Sequence, residues 1–205
     1  MVSITEAVKP ARKSYAKSAA IRQRILDACI QEFGRSGFYG ATMKDIAARA
    51  EMSHPGLLHH FPTKESLLLA VLDYRDTRST AVWQAALDEL GNTPENTVRA
   101  MLAVVVANEL EPGLAALHAS LSAEATNPEH PAHSYFRERY RIFQQYYQDR
   151  FKEMKDLGYL TTTMSPRALA FTFIAVLDGL EVQWLYERNQ FRMEDVIDEF
   201  LTSVT

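Results

Sequence analysis

The spacing of apolar residues predicts helices along almost the whole chain. Ile21, Ile25, Leu26, Ala28, Cys29 and Phe33 recur at helical intervals. They predict a first helix from a Ser18 cap to about Arg35, with Gly34 and Gly37 bracketing its end. Between Thr42 and Lys64 the apolar steps become short and alternate with start and stop signals. Thr42 is an N-cap, Asp45 puts a carboxylate in the first turn, and Ile46, Ala47 and Ala50 form a narrow apolar face. Glu51 and Met52 fall where a turn sits. Ser53 is a second cap, with Pro55 in the first turn behind it. Pro62 limits this second short helix to about Phe61, and Thr63 caps the next. Two short helices joined by a tight turn make a helix-turn-helix, whose second helix can enter a DNA major groove.

Thr63 opens a long helix to about Leu90, broken by Gly91 to Pro94. A fifth helix spans about Pro94–Glu109 on Val98, Met101, Leu102, Val105 and Val106. Glu111-Pro112-Gly113 reads as a break, followed by a sixth helix over about Leu114–Ala125. A seventh, about Ala132–Leu157, carries an aromatic stripe of Phe136, Tyr140, Phe143, Tyr147 and Phe151. Ser165-Pro166 starts a strongly apolar eighth helix to Tyr186, and a ninth runs over about Met193–Val204. The pattern therefore predicts an all-α protein: a three-helix N-terminal domain over 18–63, joined by a long helix to a six-helix bundle over 64–205. Residues 1–17 lack apolar periodicity and predict a basic flexible arm carrying Lys9, Arg12, Lys13 and Lys17.

Charge sharpens this division. The chain of 205 residues has a net charge of −4. Residues 1–64 carry ten Lys/Arg against five Asp/Glu, and the remainder twelve against twenty-one. A basic third on an acidic body points to nucleic acid at one end only. Between Ser53 and Lys64 there is no acid, and His54, His59 and His60 line the second short helix. His59 and His60, adjacent in sequence, are expected on different faces of it. Cys29 is the only cysteine, which excludes an internal disulfide and fits a reducing compartment. No apolar run of membrane-spanning length and no signal-like N-terminus is read, so a cytoplasmic protein with no membrane partner is expected.

Catalytic chemistry finds little support. His130, His133 and Glu129 stand close together, but beside two prolines they read as a solvated loop rather than a metal site. Phosphate loops, nucleophile elbows and paired cysteines are absent from the sequence, and no cofactor is called for. Trp83, Met101, Val105, Leu121, Phe136, Tyr140, Phe143, Tyr147 and Phe171 are candidates to line an apolar pocket. With no evident buried charge, an apolar or aromatic ligand is expected there. Leu169, Phe173, Val176, Leu180, Trp184, Ile197, Phe200 and Leu201, on the last two helices, are candidates for a subunit interface.

The run Ile21–Phe33 with Gly37, Thr42, Ile46-Ala47, Ser53, Leu57, His59, Phe61-Pro62 and Lys64-Glu65 resembles the N-terminal domain of TetR-family transcriptional repressors. Leu177-Asp178-Gly179-Leu180 and Gln183-Trp184-Leu185 are similar to the penultimate helix of many members. The resemblance implies a homodimer that binds a palindromic, double-stranded operator and is released by a small molecule. It places Thr42, Lys44, Ser53, His54, Pro55, Gly56, His59, His60 and Lys64 on or near DNA. Leu58 and His60 stand where many members have tyrosine, so the usual tyrosine contact to a phosphate is missing; His60 either replaces one such contact or packs on the helix below. Two other readings remain at this level: an activator or architectural DNA binder without a ligand, and a helical scaffold that has lost DNA binding.

Overall fold

The computed structural model describes residues 9–205, and those residues form ten α-helices without a strand. α1 spans Lys9–Gly40, α2 Met43–Arg49, α3 His54–His60 and α4 Lys64–Leu90. α5 (Pro94–Arg99) and α6 (Met101–Leu110) are separated only by Ala100, which keeps helical backbone angles (φ −57°, ψ −19°). The single fifth helix expected from the sequence is therefore nearly continuous. α7 spans Pro112–Glu124, α8 His133–Asp156, α9 Pro166–Tyr186 and α10 Met193–Val204.

The first three helices are shaped by their ends. Thr42 Oγ1 accepts from the Asp45 N–H at 3.1 Å, and Ser53 Oγ accepts from the Gly56 N–H at 3.2 Å. Thr63 and Ser66 form a reciprocal capping box at the start of α4. The turn between α2 and α3 passes through Glu51, whose φ of 51° lies in the left-handed region. A β-carbon is strained there, so Glu51→Gly is expected to raise the stability of the protein by about 0.5–1 kcal/mol, measured by urea denaturation.

Two boundaries differ from expectation. α1 begins at Lys9, not Ser18, so the predicted arm keeps only residues 1–8 outside the described residues. Apolar periodicity misses this start because residues 9–17 have no such stripe. At the other end, regular helix gives way at Gly37 (φ 67°), as its glycine suggests. Pro112 and Gly113 do not break the chain; they enter the first turn of α7, where a proline needs no N–H partner. The break is Glu111 alone, and the chain bends by 103° across it.

Packing joins the N-terminal helices to the body. Ile25, Cys29 and Phe33 of α1, Ile46 of α2, Leu57 of α3 and Leu67, Leu68, Val71 and Leu72 of α4 share one core with Leu114, Leu117 and Leu121 of α7. α1 lies most extensively on α7, not on α4. The two backbones come very close: a β-carbon at Gly34 would lie 3.2 Å from the Gly113 carbonyl oxygen and the Leu117 nitrogen. A second core, around Tyr147, Phe151, Phe173, Trp184, Ile197 and Leu201, fills the space between α8, α9 and α10.

α9 revises one reading of the sequence. Its 21 residues are long and apolar enough to cross a membrane by composition alone, with 39% of the apolar window buried. Its packing on α8, α7 and α10 and its buried Glu181 give it the place of a core helix that leaves one apolar face open.

Candidate functional site

The helix-turn-helix is held as a unit by a pair that sequence reasoning missed. Glu32 of α1 is buried, and accepts from Arg49 Nε of α2 at 2.8 Å and from Arg35. Burial alone raises a carboxyl pKa, but the two arginines outweigh it and hold Glu32 below its ordinary value. The pairing stabilises the fold above the normal carboxylate range and is lost as pH falls through the depressed pKa. No local signal marks it, because the partners lie on different helices.

α3 buries only Leu57 and presents Ser53, His54, Pro55, Leu58 and His59 to solvent. Thr42 and Lys44 of α2 are exposed beside it, and Gly56 and His60 are half-buried. The predicted surface residues are thus brought to one end of the molecule, with two differences. His59 and His60 do not diverge; their rings meet edge to face, 5.6 Å between centroids. Lys64 turns inward. Its Nζ donates to the carbonyl oxygens of Phe38 at 2.8 Å and Ala41 at 3.0 Å and lies over the Phe38 ring. Unsatisfied carbonyls at the end of α1 attract the ammonium more directly than a phosphate contact would.

The other site is a cavity of about 360 Å³ within the body, walled by α4, α6, α7, α8, α9 and Met193 of α10. This size suits a small organic ligand. Of the residues predicted to line it, Trp83, Met101, Val105, Tyr140, Phe143 and Tyr147 do so. Leu121 and Phe136 do not; they are buried in the core shared with α1. Phe171 points away and is 42% exposed. The expectation of an uncharged wall is also corrected. Arg75, Asp76, Arg139, His118, Asp178 and Glu181 all line the cavity. His118 Nδ1 lies 2.7 Å from Glu181 Oε2, both residues being buried. Burial and the nearby Arg75 push the His118 pKa down, which keeps its imidazole neutral and donating to the Glu181 carboxylate. The Tyr140 hydroxyl donates to Asp178 Oδ2 at 2.7 Å.

Between the two sites lies a joint. Glu124, at the end of α7, accepts the Phe38 N–H at 2.7 Å through Oε2. Gly37 leaves room for this carboxylate, since a β-carbon there would stand 1.8 Å from Glu124 Oε1. His130 closes the joint from the loop after α7, edge to face with Phe38 and Tyr39. His130 Nδ1 accepts the Ala132 N–H, and His133 Nδ1 meets the Ala125 carbonyl oxygen. Neither ring turns toward a shared metal position, and among the described residues no group of three metal-ligating side chains is found.

The subunit-interface candidates divide in the same way. Leu169, Phe173, Trp184, Ile197 and Leu201 are buried within their own chain, and Val176, Leu180 and Phe200 pack partly against that core. The open face of α9 is formed by Phe171, Ala175, Val182 and Tyr186 instead. An apolar helix shows no periodicity to say which side meets its own core, so the sequence pointed to the helix and not to the face.

A capped helix-turn-helix thus stands on a helical body that holds a cavity. Residues 25–71 match the family described as bacterial regulatory proteins, tetR family. It is 39% identical over 66 residues to the HTH-type transcriptional regulator RutR of Escherichia coli (strain K12). That match spans 32% of this chain and 31% of the relative's length. It is 27% identical over 190 residues to the HTH-type transcriptional repressor DhaR of Mycobacterium sp. (strain GP1), covering 90% of each. A ketosteroid transcriptional regulator of Mycobacterium tuberculosis shares the fold, with a TM-score of 0.71 at 19% identity over 90% of this chain and 94% of that one. A transcriptional regulator from Saccharomonospora viridis, solved in complex with choline, does so with a TM-score of 0.71 at 18% identity, over 91% and 99%.

Proposed function

We propose that the chain is a ligand-responsive transcriptional repressor of the cytoplasm, which binds a palindromic operator as a homodimer and leaves it when a small molecule fills the cavity. One observation carries this reading: α7 is a wall common to both sites. It places His118 at the cavity, packs on α1 at Gly34 and Gly113, and holds Phe38 through Glu124. A ligand that shifts α7 therefore moves α1 and the helix-turn-helix with it. It can do so only by binding one arrangement better than the other, by about 1–3 kcal/mol in typical couplings. The likeness to a named repressor over most of the chain favours repression over activation.

Exposed His54 and His59 are the proposed base-reading side chains, with Thr42, Lys44, Ser53, Pro55, Gly56 and His60 around them. Selection of bound fragments from random DNA should yield an inverted repeat with half-sites about one helical turn apart or slightly more. His54→Ala and His59→Ala should each weaken that binding by about five- to 150-fold, corresponding to ~1–3 kcal/mol per base contact. Operator affinity that survives both substitutions unaltered would take α3 out of the groove. Compounds that release the fragment test the ligand response directly.

The dimer is proposed to form through the open face of α9. Phe171, Val182 and Tyr186 are 42%, 43% and 86% exposed along it. Two such faces brought together remove a continuous apolar stripe from water. Phe171→Glu combined with Val182→Glu should give monomers in sedimentation velocity with helicity unchanged. A persistent dimer would place the interface elsewhere.

A further inference from the structure

The cavity wall contains one buried cation whose hydrogen bonds are unmade. Arg75 of α4 is 5% exposed and lines the cavity. Among the described residues its Nε and Nη1 have no hydrogen-bond partner. The carboxylate oxygen beside it, Asp76 Oδ1, stands 4.0 Å from Nη1, too far for a hydrogen bond. A guanidinium offers only donors, and donors buried without acceptors are costly.

Every carboxylate on the same wall is already engaged. Asp76 accepts from Arg139 and from the Tyr135 hydroxyl. Glu181 meets His118 through one oxygen and Asn108 through the other. Asp178 accepts from Tyr140. Each carboxylate on the wall thus has a donor, whereas two donors of Arg75 have no acceptor among the described residues. A cationic ligand would have to compete with those donors and would face Arg75 and Arg139. The rest of the lining is mainly aromatic and aliphatic, including Trp83, Phe143 and Tyr146.

We infer that the cavity takes an amphipathic acyl compound, whose carbonyl or carboxylate oxygen accepts hydrogen bonds from Arg75 while its apolar body lies against Trp83, Phe143 and Tyr146. The inference rests on the proposed ligand response and names the chemical class of the effector. A carboxylate adds charge attraction to the hydrogen bonds; a neutral ester, amide or lactone supplies the acceptor alone.

The test uses the full chain and four probes of matched body: 4-phenylbutyrate, its methyl ester, 4-phenylbutylamine and butylbenzene. Binding is read by calorimetry and release by displacement of the selected operator. The acid or the ester should bind at least about tenfold more tightly than the amine and butylbenzene, the scale of one unshared hydrogen bond to a charged group. An acid that binds about tenfold more tightly than the ester assigns a carboxylate, and parity assigns a neutral carbonyl. Arg75→Met should reduce the preferred probe to the level of butylbenzene, with circular dichroism confirming the fold. Arg75→Lys, which keeps the charge but loses the planar fork, should retain part of the acid's affinity and provides the same comparison if the methionine variant does not fold. The inference is overturned if the amine or butylbenzene binds as well as the acid and the ester, if Arg75→Met leaves binding unchanged, or if no probe binds. Release of DNA by the amine or butylbenzene would overturn it while leaving the ligand response standing. Arg75-dependent binding without release would keep the site and overturn the response.

Discussion

Phe173→Ala should lower the stability of the protein by about 3–5 kcal/mol, the usual cost of emptying an aromatic site in a core. Phe173 is fully buried, 4.9 Å between ring centroids from Tyr147, 6.0 Å from Phe151 and stacked on Phe200 at 6.3 Å. The ring fills the meeting point of α8, α9 and α10. The loss should appear as a lowering of the urea midpoint that is the same at every protein concentration. An interface residue would behave differently: its loss would be large when dilute and small when concentrated. Concentration dependence confined to this variant would return Phe173 to the subunit contact.

Gly37→Val should cost about 2–5 kcal/mol, and its functional effect should exceed that of a mutation of equal cost elsewhere in α1. Two penalties combine. A β-branched residue at φ 67° carries about 1–2 kcal/mol of backbone strain. Its β-carbon would also occupy the position of Glu124 Oε1, and pushing that carboxylate off the buried Phe38 N–H leaves a donor unsatisfied, at about 1–3 kcal/mol. Glu124 must then withdraw from the Phe38 N–H, which removes the hydrogen bond between α7 and the entry to the helix-turn-helix. Fluorescence anisotropy should show weakened operator binding and a response to effector that is blunted at any concentration. Glu124→Gln provides the control: it removes the charge, keeps an acceptor, and should preserve most of both properties.

The parts of this fold that were legible in the sequence are those decided within a few residues. The caps at Thr42, Ser53, Thr63 and Ser165 each accept the N–H three positions along, so a short window contains the whole cause. The aromatic stripe of α8 is equally local, and three of its members reach the cavity. What stayed hidden depends on partners far apart in the chain. His118 meets Glu181 across 63 positions, and Lys64 finds the Phe38 carbonyl 26 positions away. The cavity's charges looked like ordinary surface charges because nothing local announces burial. The pairing of α1 with α7 was hidden for a related reason: it depends on the absence of side chains at Gly34 and Gly113, and a glycine read alone looks like a helix end.

The shared core of α1, α4 and α7 bears on how this chain can be recombined with others of the same fold. The interior of residues 25–61 is completed by Leu114, Leu117 and Leu121 of the body. A hybrid spliced at residue 63 would set a foreign α1 against this α7, where a single added methyl group at position 34 meets backbone. The transplantable unit is smaller. Met43–His60 rests on the scaffold through Ile46, Ala47, Ala50 and Leu57, with Met43 and Met52 partly packed beside them, and through Arg49, which meets Glu32 and Gln31. Exchanging that stretch alone, with those anchors kept, should change which DNA is bound and leave the cavity of the body as it is.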